Sequence, residues 1–334
     1  MLSPGKIDFR QVPEPGQLED QKILLRIKKI GICGSDVHVF HGKHPATPYP
    51  VIQGHEYSAV VEATGNGVSK VKPGDKVTAR PQLVCGECGP CRRGQYNACQ
   101  HLKVEGFQAP GVAQDLSVVD EDRIVVLAEN MTFEQGAMVE PSAVGAHATS
   151  RVGVKGKNVV VSGAGTIGNL VAQFAKARGA NKVLITDISA YRLNIARQCG
   201  IEGVLNLKTT SFEDGIKSFF GSEGFQAGFE AAGVKASLDA LMQYVEKGGD
   251  VVILGVYEEN PVVNMYYLGE HELNVFGSMM YRQEDYERAV EMIASGKIIT
   301  DPLLSKAFPF EEYPEAYRFI EKEGDKIMKV LIDM

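Results

Sequence analysis

Four cysteines within fifteen residues, Cys85-x2-Cys88-x2-Cys91-x7-Cys99, carry the strongest chemical signal in the chain. Thiolates at this spacing can surround one zinc ion tetrahedrally. Filling all four positions with protein ligands makes such a site structural rather than catalytic. Gly86, Gly89, Pro90 and Gly94 let the backbone turn between the ligands. An iron–sulfur cluster is the other chemistry open to four thiolates, and four ordinary buried thiols is the plainest reading. Structural zinc is the expectation for residues 85–99, because in a reducing compartment such a cluster holds metal rather than disulfides.

A second motif is Gly163-Ala164-Gly165-Thr166-Ile167-Gly168. It follows an apolar run at 158–162 and opens an amphipathic stretch, the setting in which G-x-G-x-x-G binds a dinucleotide. Gly163 permits the tight turn, Gly165 lets backbone approach a pyrophosphate, and Gly168 lets the helix pack against the strand. Thr166 and Ile167 begin that helix, whose N-terminus favours an anion. Asp187 ends the next strand run, at the distance where a carboxylate binds ribose hydroxyls and repels a 2′-phosphate. NAD is therefore expected over NADP. Arg192 lies close enough in sequence to contact the same ribose, or to recruit a 2′-phosphate. Val256, just past the run at 250–255, is a further cofactor-binding candidate. The competing reading is a ligand-free turn, with Asp187 capping a helix.

Three more groups sit at turns: Cys33 in Gly31-Ile32-Cys33-Gly34-Ser35-Asp36, His55-Glu56 after Gly54, and Glu140 before Pro141. Spacing alone does not join them. Cys33 reads equally well as a small buried apolar residue, and His55-Glu56 as a surface pair. Adjacent residues on a regular strand face opposite ways, so His55 and Glu56 share a metal only if the chain turns there, as Gly54 allows.

These groups need a frame. Residues 1–140 read as strand-rich, with runs at 23–27, 57–62 and 75–79 punctuated by Asn66-Gly67 and Pro73-Gly74. Past residue 150, apolar runs at 158–162, 182–186, 204–207, 226–230, 250–255 and 273–277 alternate with helical periods. Runs such as Val159-Val160-Val161 lack polar alternation, as parallel strands buried on both faces do. The pattern predicts an α/β chain with a doubly wound parallel sheet. A last helix is expected over 284–294, followed from 299 by strand-like, Pro-punctuated text. The length, 334 residues, suits two domains. Lys+Arg at 35 against Asp+Glu at 42 gives a formal charge of −7, which argues against nucleic acid as a partner. No apolar run approaches the ~18 residues that cross a membrane. Met1-Leu2-Ser3-Pro4-Gly5-Lys6 has no signal-peptide pattern. A cytoplasmic protein is expected.

Taken in order, Gly31 to His38, Gly54-His55-Glu56, the cysteine lobe, Val139-Glu140-Pro141, and Ser162-Gly163-Ala164-Gly165 with Asp187 resemble the zinc-dependent medium-chain alcohol dehydrogenase superfamily. Within it, the chain resembles the polyol (sorbitol/L-iditol) dehydrogenase group. The resemblance spans the chain nearly end to end. It implies a GroES-like β-rich catalytic domain at 1–146 with the zinc lobe at 85–99. A Rossmann domain at 147–279 follows, and a segment at 280–334 completes the catalytic domain. It implies two zinc ions per chain, the catalytic one held by Cys33, His55 and an acid. Glu56 is placed first in that role, with Glu140 near enough to exchange with it or to hold the water beside it.

The resemblance also implies a proton relay from Ser35 through the nicotinamide ribose to His38, with Asp36 bracing the Cys33 loop. Tyr281-Arg282 is similar to a polyol-holding pair, which makes Arg282, with Phe107, a candidate substrate contact. His41, His44, His101 and His271 read as structural or exposed. The activity implied is transfer of a hydride from a secondary alcohol of a polyol to NAD, giving a ketose. L-threonine, 2,3-butanediol, sugar-acid and polyol-phosphate dehydrogenases share the ligand set, and a catalytically silent NAD(H)-binding protein is the non-enzymatic alternative. A homo-oligomer, dimer or tetramer, is implied through an edge of the Rossmann sheet.

Overall fold

Apolar residues alternating along Lys22–Ile32 build β1, whose Ile23, Leu25, Ile27 and Ile30 point into a core. The computed structural model describes residues 1–334. After β1 come α1 (Gly34–Phe40), β2 (Glu56–Thr64), β3 (Lys76–Ala79), β4 (Gln82–Leu83), α2 (Gly89–Arg92), β5 (Lys103–Val104), β6 (Leu116–Asp120) and β7 (Ile124–Val126). Two helices, α3 (Phe133–Ala137) and α4 (Val139–Ser150), lead out of this region.

The second half begins with β8 (Asn158–Ser162), α5 (Thr166–Ala177), β9 (Lys182–Asp187), α6 (Ala190–Gln198) and β10 (Gly203–Asn206). It continues with α7 (Phe212–Phe220), β11 (Ala227–Glu230), α8 (Lys235–Tyr244), β12 (Asp250–Ile253), α9 (Met265–Glu270) and β13 (Asn274–Gly277). The chain ends with α10 (Gln283–Ala294), β14 (Leu304–Pro309), α11 (Tyr313–Glu323) and β15 (Lys329–Asp333).

β1 organises a seven-stranded sheet in the order β14-β15-β1-β2-β3-β7, with β6 also on β1. Its first half, Lys22 to Arg26, pairs with β6, and its second half, Lys29 to Ile32, pairs antiparallel with β15. The end of the chain thus closes the sheet that the beginning opens. β4 and β5 pair as a separate two-stranded sheet, and a six-stranded sheet is parallel, in the order β10-β9-β8-β11-β12-β13. Val159, Val160 and Val161 are fully buried because helices cover both faces. The order in which strands are added reverses between β8 and β11, the switch point at which such sheets open a crevice for a nucleotide.

The strand runs read after residue 150 all form strands of this sheet, within two residues at their ends. Two helices depart from the sequence reading. α4 is buried almost all round, so it shows no amphipathic period, and it packs with α5 and α10 through Ala143, Ala146, Leu170, Phe174 and Ala289. The expected boundary at 146/147 falls inside this continuous helix. α11 interrupts the tail read as strand-like, with Tyr313, Ala316 and Tyr317 facing the core.

Candidate active site

β1 delivers Cys33 to the N-cap of α1. The Cys33 N–H donates to Asp36 Oδ2 at 2.9 Å, so the fully buried Asp36 braces the turn. Ser35 Oγ donates to Cys33 Sγ at 3.1 Å. His55 precedes β2, and Gly54 at φ +92° supplies the bend that lets adjacent residues face one point. Gly31 lies opposite Glu56 in the β1–β2 register, where a Cβ would come within 2.2 Å of Glu56 Oε2. That missing side chain leaves room for the carboxylate. Ligand atoms of Cys33, His55 and Glu56 lie within 4.8 Å of one another.

The surroundings of these three groups favour a cation. His55 Nδ1 and Asp36 Oδ1 are 3.5 Å apart, both buried and neither hydrogen-bonded. Burial opposes charge on His55, yet Asp36 and the Cys33 thiol outweigh it and hold the imidazole well above its ordinary pKa. Lys329 of β15 donates from Nζ to both oxygens of Glu56, at 2.7 and 2.6 Å, and to the Ile32 carbonyl at 3.1 Å. Sequence reasoning missed this lysine. It stands 273 residues from Glu56, and only the pairing of β15 with β1 brings the two together.

Glu140 enters from the first turn of α4, buried and outside the group of three. The Tyr281 hydroxyl donates to its Oε1. Burial, then the charge of Glu56, push the Glu140 carboxyl up to about 7. Phe107 packs its ring 4.9 Å from that of His55, and His44 stacks on Phe107 at 4.7 Å. His44 Nδ1 lies 2.7 Å from Thr47 Oγ1. His44, expected to be structural or exposed, is a half-buried part of this wall. His38 lies in the last turn of α1, also half-buried.

Arg282, the candidate substrate contact, stands at the N-cap of α10. Its Nε donates to Asn97 Oδ1 at 3.2 Å, and its Nη1 lies 3.6 Å from Glu284. At the N-cap of α10 the extended backbone sends Tyr281 toward Glu140 and Arg282 toward the cysteine lobe. The side chain of this pair that reaches the acid is Tyr281.

In the lobe, Cys85, Cys88, Cys91 and Cys99 gather their sulfurs within 4.8 Å of one another. Backbone N–H groups point at them: Cys85 and His101 donate to Cys99 Sγ at 3.4 and 3.3 Å, and Cys88 donates to Cys85 Sγ at 3.4 Å. Such donors stabilise thiolates. Cys199 lies apart in another core, its thiol pushed up to about 12 by burial.

At the parallel sheet, Gly163 adopts φ +101°, and a Cβ on Gly168 would sit 1.8 Å from the Gly163 carbonyl oxygen. Gly165, the N-cap of α5, faces open space, with Thr166 and Ile167 opening the helix. Asp187 accepts from the Ala164 and Ser189 N–H groups, each at 2.7 Å, so it ties the glycine turn to the end of β9. The cap of α6 is Ser189 rather than Asp187. Arg192 is half-buried with its Nε unpaired, and Val256 is 88 % exposed. A Cβ on Gly233 would lie 2.6 Å from the Val256 carbonyl oxygen.

Comparison with known proteins decides the family. The family model for the alcohol dehydrogenase GroES-like domain matches residues 19–129, and that for zinc-binding dehydrogenase matches residues 166–295. The chain is 32 % identical over 315 residues to 2-dehydro-3-deoxy-L-galactonate 5-dehydrogenase of Pseudoalteromonas atlantica, covering 93 % of this chain and 91 % of that protein. The chain belongs to the zinc-dependent medium-chain alcohol dehydrogenase family. It is likewise 31 % identical over 340 residues to sorbitol dehydrogenase 1 of Saccharomyces cerevisiae, covering 98 % and 95 %. Galactitol-1-phosphate dehydrogenase from Escherichia coli has a structure similar to it, with a TM-score of 0.91 at 29 % identity over 99 % of this chain and 98 % of that one.

As a member of this alcohol dehydrogenase family, the protein is an NAD-dependent oxidoreductase that uses zinc. The residues fit both groups. The thiol, imidazole and carboxylate at 33, 55 and 56 are a zinc donor set, and the four sulfurs of the lobe are another. The open Gly165 turn and the Asp187 carboxylate fit a dinucleotide. No helix is long and apolar enough to cross a membrane.

Proposed function

We propose that this dehydrogenase oxidises a secondary alcohol of a neutral polyol, sorbitol- or L-iditol-like, to the ketose with NAD. The observation that carries the substrate class is the state of the two basic side chains tied to this region. Lys329 is spent on Glu56, and Arg282 on Asn97. A phosphate or carboxylate on the substrate finds no free cation in either, whereas a neutral hydroxyl suits the polar wall at His44 and the acids. Alcohol dehydrogenase relatives that act on sugar acids or polyol phosphates keep those substrates as the second reading.

Cys33, His55 and Glu56 would hold the catalytic zinc, with Glu140 next to them, and Cys85, Cys88, Cys91 and Cys99 the structural ion. When bound, zinc supplies Lewis acidity toward the alcohol oxygen, and NAD accepts the hydride. The protein's own part is placement and proton handling. Ser35 Oγ, beside Cys33, is the hydroxyl positioned to take the alcohol proton, and His38 at the far end of α1 is the outer group that passes it on. Phe107 orients His55 and shuts water from that side. Asp187 selects NAD over NADP by occupying the place of a 2′-phosphate, while Arg192 lines the same ribose side. Gly163, Gly165, Thr166, Ile167, Gly168 and Val256 form the rest of the cofactor cradle.

The division into a catalytic domain at 1–146, a Rossmann domain at 147–279 and a completing segment at 280–334 belongs to the same reading. So does a homo-oligomer, dimer or tetramer, formed along the free edge of β13, where Val275 and Met279 are exposed. Free cysteines throughout suit the cytoplasm. The deciding experiment is an NAD-reduction screen across C5–C6 polyols, their phosphates, vicinal diols, sugar acids and threonine. The highest kcat/KM is expected on a neutral polyol. A higher value on a phosphorylated or carboxylate substrate would refute the substrate class.

A further inference from the structure

The segment 279–283 crosses between the two halves of the chain in an unusual conformation. Met280 has φ +48°, a left-handed value that side chains with a Cβ adopt at a cost. The next residue, Tyr281, is fully buried with its hydroxyl on Glu140. Strain of this kind persists only where neighbours over-determine it. The neighbours here come from the cysteine lobe and the strand beside it. Asn97 Nδ2 donates to the Met279 carbonyl at 3.0 Å, and Gln82 Nε2 donates to the Tyr281 carbonyl at 2.9 Å. The Tyr96 hydroxyl accepts from the Gln283 N–H at 2.6 Å.

Asn97 is the hub. It is buried, and each of its polar atoms is used. Nδ2 serves Met279 and also lies 3.4 Å from His147 Nε2, while Oδ1 accepts from Arg282 Nε at 3.2 Å. The carbonyl at 279 and the guanidinium at 282 fix which end of the amide is which. His147 Nε2 then faces a donor, so its proton sits on Nδ1, directed to Asp285 Oδ2 at 2.8 Å. Asp285 closes the ring by accepting from the Arg282 N–H at 2.9 Å.

We propose that the cysteine lobe, through Asn97, is the clamp that sets Tyr281 against Glu140, which makes Asn97 a positioning residue for the reaction. The catalytic half of this rests on the reading of Glu140 given above, and the mechanical half does not. The lobe is then more than a local staple, because its geometry is transmitted through two side chains to an acid beside the catalytic ligands.

The test combines hydrogen exchange with a double-mutant cycle on the zinc-loaded enzyme. Asn97→Ala is expected to speed amide exchange in the peptide spanning 277–286 at least about tenfold, with peptide 85–99 unchanged and both zinc ions retained. It should lower kcat about tenfold or more with KM for NAD unchanged. In a Tyr281→Phe background the same substitution should change kcat less than about twofold, since its route is already cut. Tyr96→Phe, a milder change, should raise exchange in the same peptide to a smaller extent and serves if Asn97→Ala does not fold. Unchanged exchange at 277–286, or kcat losses that multiply in the double variant, would overturn the proposal. Wild-type kcat in Tyr281→Phe alone, with exchange raised in Asn97→Ala, would uphold the clamp and refute the role of Glu140.

Discussion

Replacing Glu140 with Gln should stabilise the zinc-free protein, and by more at high pH than at low. Glu140 is buried beside Glu56, and those two causes, in that order, raise its carboxyl from an ordinary 4.5 to about 7. A folded-state pKa above the unfolded one means that the native state binds the proton more tightly. Stability then falls as pH rises from the unfolded pKa to the folded one, and stays low above it. At ~1.4 kcal/mol per pH unit, the full cost of ionising Glu140 is on the order of 3 kcal/mol. Gln keeps the shape and the acceptor for the Tyr281 hydroxyl but cannot ionise. The advantage of Glu140→Gln is therefore expected to be about 1 kcal/mol at pH 5 and about 3 kcal/mol at pH 8. Urea unfolding of chelated protein measures it, followed by far-UV circular dichroism because the chain has no Trp. Zinc beside Glu56 favours the ionised acid, so the advantage at pH 8 should shrink in the loaded enzyme. An advantage that is the same at pH 5 and pH 8, or larger at pH 5, would refute the electrostatic account of this acid.

Lys329→Met leaves Glu56 buried without its partner, and should cost the zinc-free protein about 3–5 kcal/mol, read from its urea midpoint. Burial opposes the Lys329 charge but Glu56 and Cys33 outweigh it, so the folded pKa is raised. Its contribution holds at neutral pH and is lost only as pH rises through that folded value. Asp187→Ser should lower the ratio of kcat/KM with NAD to that with NADP by about tenfold or more, near 1.4 kcal/mol, and an unchanged ratio would remove Asp187 from cofactor choice. Mild chelation should withdraw one zinc per chain together with activity. The ion held by four cysteines should stay, with far-UV dichroism intact, as metal analysis of the dialysed protein would show.

What the sequence disclosed follows from how local each signal is. The cysteine lobe and the Gly163–Gly168 turn are contiguous, so their chemistry was legible from spacing. The parallel strands were legible because burial on both faces leaves unbroken apolar runs such as Val159 to Val161. The same burial hid α4, since a helix enclosed on all sides has no polar face to mark its period. The Pro-punctuated tail read as strand-like, yet Pro314 sits in the first turn of α11, where a missing N–H costs nothing. Joining Cys33 to His55 and Glu56 needed the resemblance, because the β1–β2 register that aligns them is not written in either segment. Lys329 was invisible for the same reason, its partner being most of the chain away. That Tyr281 turns to Glu140 while Arg282 turns to the lobe was not legible, because at an extended N-cap neighbouring side chains diverge and the sequence does not say which turns inward.

The electrostatics of the site tie these observations together. Asp36, Glu56 and Glu140 are buried close to the half-buried Cys33, and the cations facing them are Lys329 and, when protonated, His55. Acceptors in such excess cannot all ionise unaided, because each unpaired charge in low dielectric costs several kcal/mol. The protein answers in two ways. It raises the pKa of one acid, Glu140, and it lifts the affinity of His55 for a proton, which is the same demand for positive charge expressed at another atom. A divalent cation meets that demand with a single ion and frees both groups to change protonation state. The site is thus built around a charge that the side chains themselves do not supply. An anionic substrate would deepen the deficit, while a neutral hydroxyl adds an oxygen without adding charge, and that asymmetry is the electrostatic argument behind the proposed neutral substrate.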